Sequence, residues 1–376
     1  MKLLSRLFTL DSNVLERRLI NSLFAAVKSV TDGSPLCLTV MGRQIGTRGV
    51  VKEKHSIKRI DRLLGNPRFH KANLSYYQRI AQLFANNKSP LIHVDWSTIY
   101  NYDFVLLRAS ISFQGRAITL CESVYSGEKH NNHKVHQKFL LKLKQILPPG
   151  VKPIICTDAG FKVPWFKEIE CLGWYWLART RGTVKCQFAN ANQWQYVSNV
   201  HQQATGKAKE LPPCLLSKAQ QHLCRGVLYR APSLPLKKAK KRIHTRDANN
   251  LRHIKSAKEP WFLVSNLPAE LYKPQHLVNF YKRRMAIEES FRDSKNEYYG
   301  LGLSRSRSRS IERLESILLI AMLAQLYLYC LGKASETLGH HRDFQANTIK
   351  HRRVLSFGYL GQRVLMHPSR YKVSIK

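Results

Sequence analysis

The sequence predicts a mixed α/β protein: a helical opening, a core of alternating strands and helices, a β-rich insertion into that core, and a helical end. Three observations carry this. Strand-like texture begins abruptly at Leu91, after some 86 residues with little strand character. From there to Arg179 the segments run strand, strand, strand, helix, strand, helix, strand. A proline-bearing stretch then separates the fifth strand from a strongly patterned helix, Tyr281 to Lys295.

Residues 1 to about 86 alternate short apolar groups with basic ones, the composition of a small helical domain. Leu38 to Thr47 reads as a helix and tight turn of the helix-turn-helix kind, with a second helix near His55 to Leu64. In that second helix Ile57, Ile60 and Leu64 share one face. Lys58, Arg59 and Arg62 are left available to a phosphate backbone.

LIHVDWS, DFVLLRASISFQ and AITLCESVY are rich in β-branched and aromatic residues, and are broken at Asn101-Tyr102 and at Gly115. They read as three consecutive antiparallel strands. A helix from Asn132 to Leu147 ends at Pro148-Pro149-Gly150; PIICTD closes on Asp158; a helix covers Val163 to Leu172; and Trp174 to Arg179 is the fifth strand. This is the order of the ribonuclease-H-like fold, in which the first and fourth strands are neighbours. Asp95 interrupts an apolar strand that should be buried on both faces, where an unpaired carboxylate costs several kcal/mol. Asp158 at the neighbouring strand end would repel it. A divalent cation resolves that repulsion, and hard oxygen ligands favour Mg²⁺ or Mn²⁺.

Residues 183 to about 260 hold Pro212-Pro213, Pro232, Pro235, strand-like pieces such as GVLYRA, and the basic run Lys237 to Arg246. They read as an insertion of short strands and loops, the basic run fitting a solvated loop and a DNA contact equally. Trp261 to Asn266 should return as an edge strand. After it, Tyr281 to Lys295 has no Pro or Gly and reads as one helix. At about 100° per residue Tyr281, Arg284, Glu288, Arg292 and Lys295 fall within roughly 80° of arc, beside an apolar stripe of Phe280, Ile287 and Phe291. A carboxylate among three cations and a phenol suits a metal ion and a phosphate, although i,i+4 ion pairs on a solvated face give a similar pattern. SRSRSRS, Ser304 to Ser310, reads as a charged turn, followed by an apolar helix from Ile311 to Leu331 and a short basic tail.

Lys and Arg number 62 against 24 Asp and Glu, a net charge of +38, while 44 % of residues are hydrophobic and six are Trp. A chain that folds and is this basic calls for a polyanion, nucleic acid first. No signal peptide is visible. The longest apolar run, Ile317 to Cys330, is 14 residues and contains Gln325, which suits a buried helix better than a bilayer span. Eight scattered Cys, with no C-x-x-C pair, read as reduced packing residues of a cytoplasmic protein without membrane partners.

HVDWS with Asp95, TDAGFKVPW with Asp158, and Y-x2-R-x3-E-x6-K from Tyr281 to Lys295 resemble the DDE transposases of bacterial insertion sequences, in the family named insertion sequence four. KRIDRLLGN, LGWYWL, SAKEPW, YGLGL and DFQANT extend the resemblance over almost the whole chain. Met285 departs from it, since the family often has a bulky aromatic there. The resemblance implies a ribonuclease-H-like catalytic core with a β-rich insertion, an N-terminal helical DNA-binding domain and a C-terminal helical region. The divisions would be 1–86, 87–182 for the first part of the core, 183–260 for the insertion, 261–335 for the second part with the catalytic helix, and 336–376. It implies Mg²⁺ (Mn²⁺ substituting) held by Asp95, Asp158 and Glu288, with DNA phosphates held by Tyr281, Arg284, Arg292 and Lys295. Trp261 would stack a flipped base in a hairpin intermediate, the other reading being an ordinary buried Trp at a strand start. The partners implied are double-stranded DNA, both terminal inverted repeats and target, and a second copy in a homodimeric synaptic complex. A non-catalytic regulator descended from a transposase would be marked by loss of a carboxylate, and all three are present. A nuclease that cuts without joining differs only by assay.

Overall fold

The computed structural model describes residues 17–47, 51–100, 103–232 and 259–373. The Asn101-Tyr102 break, Pro235 and the basic run Lys237 to Arg246 lie outside the described residues. The described chain opens with α1 (Arg17–Thr31), α2 (Leu38–Gly46), α3 (Glu53–Leu64) and α4 (Pro67–Phe84). The expected helix pair is α2 and α3. They meet backbone to backbone at Gly42, where an added Cβ would lie 2.6 Å from the Ile57 Cα. α4 starts where the Asn66 side chain accepts from the Arg68 and Phe69 N–H groups and Pro67 takes the first turn, which needs no donor.

The core follows as β1 (Leu91–Ile99), β2 (Phe104–Phe113), β3 (Arg116–Ser126), α5 (His133–Ile146), β4 (Ile154–Thr157), α6 (Val163–Cys171) and β5 (Tyr175–Thr180). β1 pairs antiparallel with β2 and parallel with β4, and β4 pairs parallel with β5. The resulting order, β3-β2-β1-β4-β5, is the one the sequence predicted, with β1 central.

The insertion continues this sheet. It comprises β6 (Lys185–Phe188), β7 (Gln195–Tyr196), a single helical turn α7 (Val197–Val200), β8 (Lys209–Leu216) and β9 (His222–Tyr229). β10 (Trp261–Ser265) lies between β5 and β9, antiparallel to both, in a ten-stranded sheet. The expectation of an edge strand at Trp261 is therefore wrong. β9 covers the edge that β10 would have left open, and an apolar strand gains by having both neighbours. Pro212-Pro213 lies inside β8, at a register shift between Leu211 and Cys214. A bulge is where a ladder tolerates residues that cannot donate.

Next come α8 (Pro274–Lys282), α9 (Met285–Lys295), a 3₁₀ turn at Leu303–Arg305, α10 (Ile311–Thr337) and α11 (Phe357–Leu365). α10 extends past the expected end at Leu331. By length and composition it is the one helix among the described residues that could cross a membrane, yet 83 % of its most apolar window is buried in the fold. A helix apolar all round belongs in a core. The chain after it is not merely a basic tail, because α11 docks on α10. Added Cβ atoms would lie 2.0 Å from the Phe357 carbonyl oxygen at Gly332 and 2.3 Å from the Leu328 carbonyl oxygen at Gly361.

A buried polar network ties these layers together. Arg108 on β2 is paired with Glu122 on β3, Nη2 to Oε2 2.8 Å, with both side chains almost wholly out of solvent. Its Nη1 donates to Ser290 Oγ on α9 at 3.0 Å, and its guanidinium lies 4.8 Å from the Phe291 ring centre. Tyr77 on α4 donates to Glu122 Oε1 at 2.9 Å, and Gln325 on α10 donates to Ser294 Oγ at 3.1 Å. The eight cysteines are free, the Cys214 and Cys224 sulfurs standing 3.7 Å apart.

Candidate active site

Asp95 and Asp158 meet because β1 and β4 run parallel in a register that pairs Val94 with Thr157, so the next residue of each chain is an aspartate. Each carboxylate is steadied locally. The Trp96 N–H donates to Asp95 Oδ1 at 2.9 Å and the Gly160 N–H to Asp158 Oδ1 at 2.8 Å. Burial, then the nearby Asp158 charge, push the Asp95 pKa up to about 7, with Arg284 pulling the other way. This is the response of a carboxylate held out of water beside another anion.

The helix expected from Tyr281 to Lys295 is not continuous. α8 ends at Lys282 and α9 starts at Met285, and across the joint the N–H groups of Arg283, Arg284, Ala286 and Ile287 bond three residues back instead of four. The tighter winding brings residues three apart toward the same side, and the Arg284 guanidinium lies 5.6 Å from the ring centre of Tyr281. Its ring is buried edge-on against Trp261, centroids 4.9 Å apart, and Trp261, half-buried, also leans on Tyr229 at 5.6 Å. Arg284, at the joint, reaches across to β1. Its Nη1 donates to Asp95 Oδ2 at 3.0 Å, its Nη2 donates to Glu288 Oε1, and its Nε is buried without a partner.

Lys295 reaches the same strand two residues on, Nζ to Ser97 Oγ 2.7 Å. Arg292 does not join the cleft. It is exposed and bonds Glu289 at 2.7 Å, further round the helix. Lys58, Arg59 and Arg62 lie on α3. Arg59 and Arg62 line a groove of about 610 Å³ together with Arg18, His55 and Arg68, whereas Lys58 is exposed outside it. Arg59 is already tied to α1 by an Nε bond to Ser22 Oγ at 2.9 Å.

Asp95, Asp158, Arg284 and Glu288 thus converge, with Tyr281, Trp261 and Lys295 around them. Carboxylate oxygens from adjacent parallel strands, one of them with a raised pKa, are a donor set suited to a hard divalent cation. Among the described residues no three acidic, thiol or imidazole groups gather closely enough to hold a metal ion as they stand, and Arg284 stands between Asp95 and Glu288. Two nearby features were missed from sequence. Ser97 gave no signal. Arg108 and Glu122 interrupt apolar strands just as Asp95 does, and that pattern would have found them.

No curated protein sequence matches the chain. The model of the family described as transposase DDE domain matches residues 107–326, a span that takes in Asp158 and all of α9 and begins after Asp95. That span is more than half of the chain and carries the strands and helix on which Asp158, Arg284 and Glu288 sit, so the chain belongs to the transposase DDE domain family.

Proposed function

We propose that the protein is a cut-and-paste transposase of the insertion-sequence-four family, most similar to the transposase of insertion sequence ten. It would bind the terminal inverted repeats of its element, cleave through a hairpin intermediate and join the freed 3′ ends to target DNA. The observation that carries this reading is the pair Asp95, inside β1, and Asp158, just past the end of the adjacent parallel β4, facing Glu288 across Arg284.

Asp95, Asp158 and Glu288 would hold Mg²⁺, with Mn²⁺ able to substitute. When bound, the metal supplies Lewis acidity to the attacking and leaving oxygens. The chain's own part is to position DNA and balance its charge. Arg284, released from Asp95 and Glu288, would pair with a phosphate at the cut, and Lys295 would hold a neighbouring one. Arg292, exposed, would contact the flank, and the buried Tyr281 would support Trp261 beneath an unstacked base. Lys58, Arg59 and Arg62 would grip the repeat from the N-terminal domain, residues 1–86, in a homodimeric synaptic complex.

The test is to incubate the protein with a labelled element end and Mg²⁺ and resolve the products on a denaturing gel. Nicked, hairpin and joined species are expected in that order. Cleavage without hairpin or joined product would reduce the reading to a nuclease, and tight binding without cleavage to a regulator.

A further inference from the structure

The Ser–Arg alternation from Ser304 to Ser310 is more than a charged turn, because its serines and arginines are used differently. The serines anchor the loop. Ser304 Oγ donates to the Lys295 carbonyl oxygen at 3.3 Å and to Glu297 Oε1 at 2.9 Å. The Tyr100 hydroxyl donates to Ser306 Oγ at 2.7 Å and accepts from the Ser308 N–H at 3.2 Å. Ser310 caps α10, its Oγ accepting from the Arg313 N–H at 3.4 Å. The arginines all point to solvent. Arg305 and Arg307 form no ion pair or side-chain hydrogen bond with any described residue. Arg309 holds Asp103 at 2.7 Å in an exposed pair of the kind that contributes little and is readily exchanged.

Arg307 has a φ of +53°, a left-handed conformation. For a long side chain this costs roughly 1–2 kcal/mol. The tyrosine clamp holds the loop in that shape. The position is also specific. Ser304 fastens the loop to Lys295, which is itself bonded to Ser97 on β1, two residues past Asp95. On the other side Arg313 pairs with Asp61 of α3 at 2.6 Å, the helix whose Arg59 and Arg62 line the N-terminal groove. The loop therefore carries cations across the interval between groove and cleft.

We infer that the Ser304–Ser310 loop is a preformed cradle for the sugar–phosphate backbone of duplex DNA, with Arg305 and Arg307 as phosphate ligands and Tyr100 as the residue that positions them. This deepens the transposase reading and rests on it for the choice of DNA. Backbone contacts carry no sequence information, so the probe is a fluorescent duplex of about 40 base pairs of arbitrary sequence, bound by the full chain without Mg²⁺ across a salt series. For Arg305→Gln/Arg307→Gln the slope of log affinity against log salt is expected to fall by about two, close to one per lost contact. Arg342→Gln/Arg352→Gln, an equal loss of charge on exposed arginines elsewhere, is expected to change it by much less. Tyr100→Phe, which alters no charge, should weaken binding several-fold with an unchanged circular dichroism spectrum. An unchanged slope in the loop variant, or an equal change in both arginine pairs, overturns the cradle, as does full-strength binding by Tyr100→Phe. The measurement needs no catalysis. If the loop passes and the protein never cleaves element ends, the transposase reading fails and the cradle stands; the reverse result fails the cradle alone.

Discussion

Two groups of charged side chains occupy the same face of the sheet, side by side, and they are built to opposite ends. Asp95, Arg108 and Glu122 are directly opposite one another on β1, β2 and β3, so their side chains share a face. Around Arg108 every charge is met: one cation, one anion, two serines, a phenol and an aromatic ring. Around Asp95 the sum is unbalanced, with three carboxylates facing one guanidinium and the Asp95 pKa pushed up to about 7 by burial and by Asp158. A closed network holds a sheet to a helix. An open one waits for further positive charge. Neighbouring strands of one sheet and the same α9 serve the two clusters, and rigidity next door is what lets the open cluster persist.

The largest effects should come from the open cluster. Asp95→Ala, Asp158→Ala and Glu288→Ala are each expected to abolish cleavage of element ends, by at least about 10³-fold. Binding in a mobility-shift assay should be unchanged or tighter, since an anion has been removed from a DNA-facing cleft. Thermal stability should not fall, which is how this cluster would differ from its neighbour. Retained cutting in any one of the three would remove that residue from the proposed ligand set.

In the closed cluster the loss should be of stability instead. Glu122→Ala leaves Arg108 buried and unpaired, and is expected to cost about 3–5 kcal/mol in denaturant unfolding. The joint replacement Arg108→Met/Glu122→Leu should recover most of that, because the desolvation cost of both charges goes with them. A double variant as unstable as the single one would show that the ion pair itself, and not the unpaired charge, governs stability.

A smaller and more selective effect is expected at Trp261, beside the open cluster. Its side chain is half-buried and rests on Tyr281 and Tyr229. Stacking of an unpaired base is worth roughly 1–3 kcal/mol, so Trp261→Ala should slow hairpin formation by about 5- to 150-fold while nicking proceeds normally. If both steps fall together and unfolding shows a less stable protein, Trp261 is core. The smallest change is Tyr77→Phe, which removes one hydroxyl from Glu122 and should cost about 1 kcal/mol or slightly more, measured by thermal melting.

The parts of this molecule that were legible in the sequence are those where local pattern and burial agree. β1 through β5 alternate or run apolar and are punctuated by Gly and Pro, so their order could be read, and an aspartate inside an apolar strand announced Asp95. Where long-range pairing decided the outcome, the sequence was silent. Nothing local to Trp261–Ser265 says that β9, whose pairing partner lies some 30 residues away, will cover it. The break at Arg283–Arg284 was hidden because no Pro or Gly marks it; the joint lets Arg284 reach Asp95, a contact made across 189 positions of sequence. Arg292 shows a related limit: helical phase gives its side of the helix, but not its pairing with Glu289 one turn back.

The hydroxyl of Tyr77 has a consequence for anyone who would graft a different N-terminal module onto this sheet. The N-terminal helices look like a separable cassette, yet α4 inserts a phenol into the ion pair that seats α9. A chimera joined between α4 and β1 would exchange that phenol for whatever the donor supplies. Transplants that keep a tyrosine in register with Glu122 should splice cleanly, and those that do not would carry an unsatisfied carboxylate oxygen beneath α9.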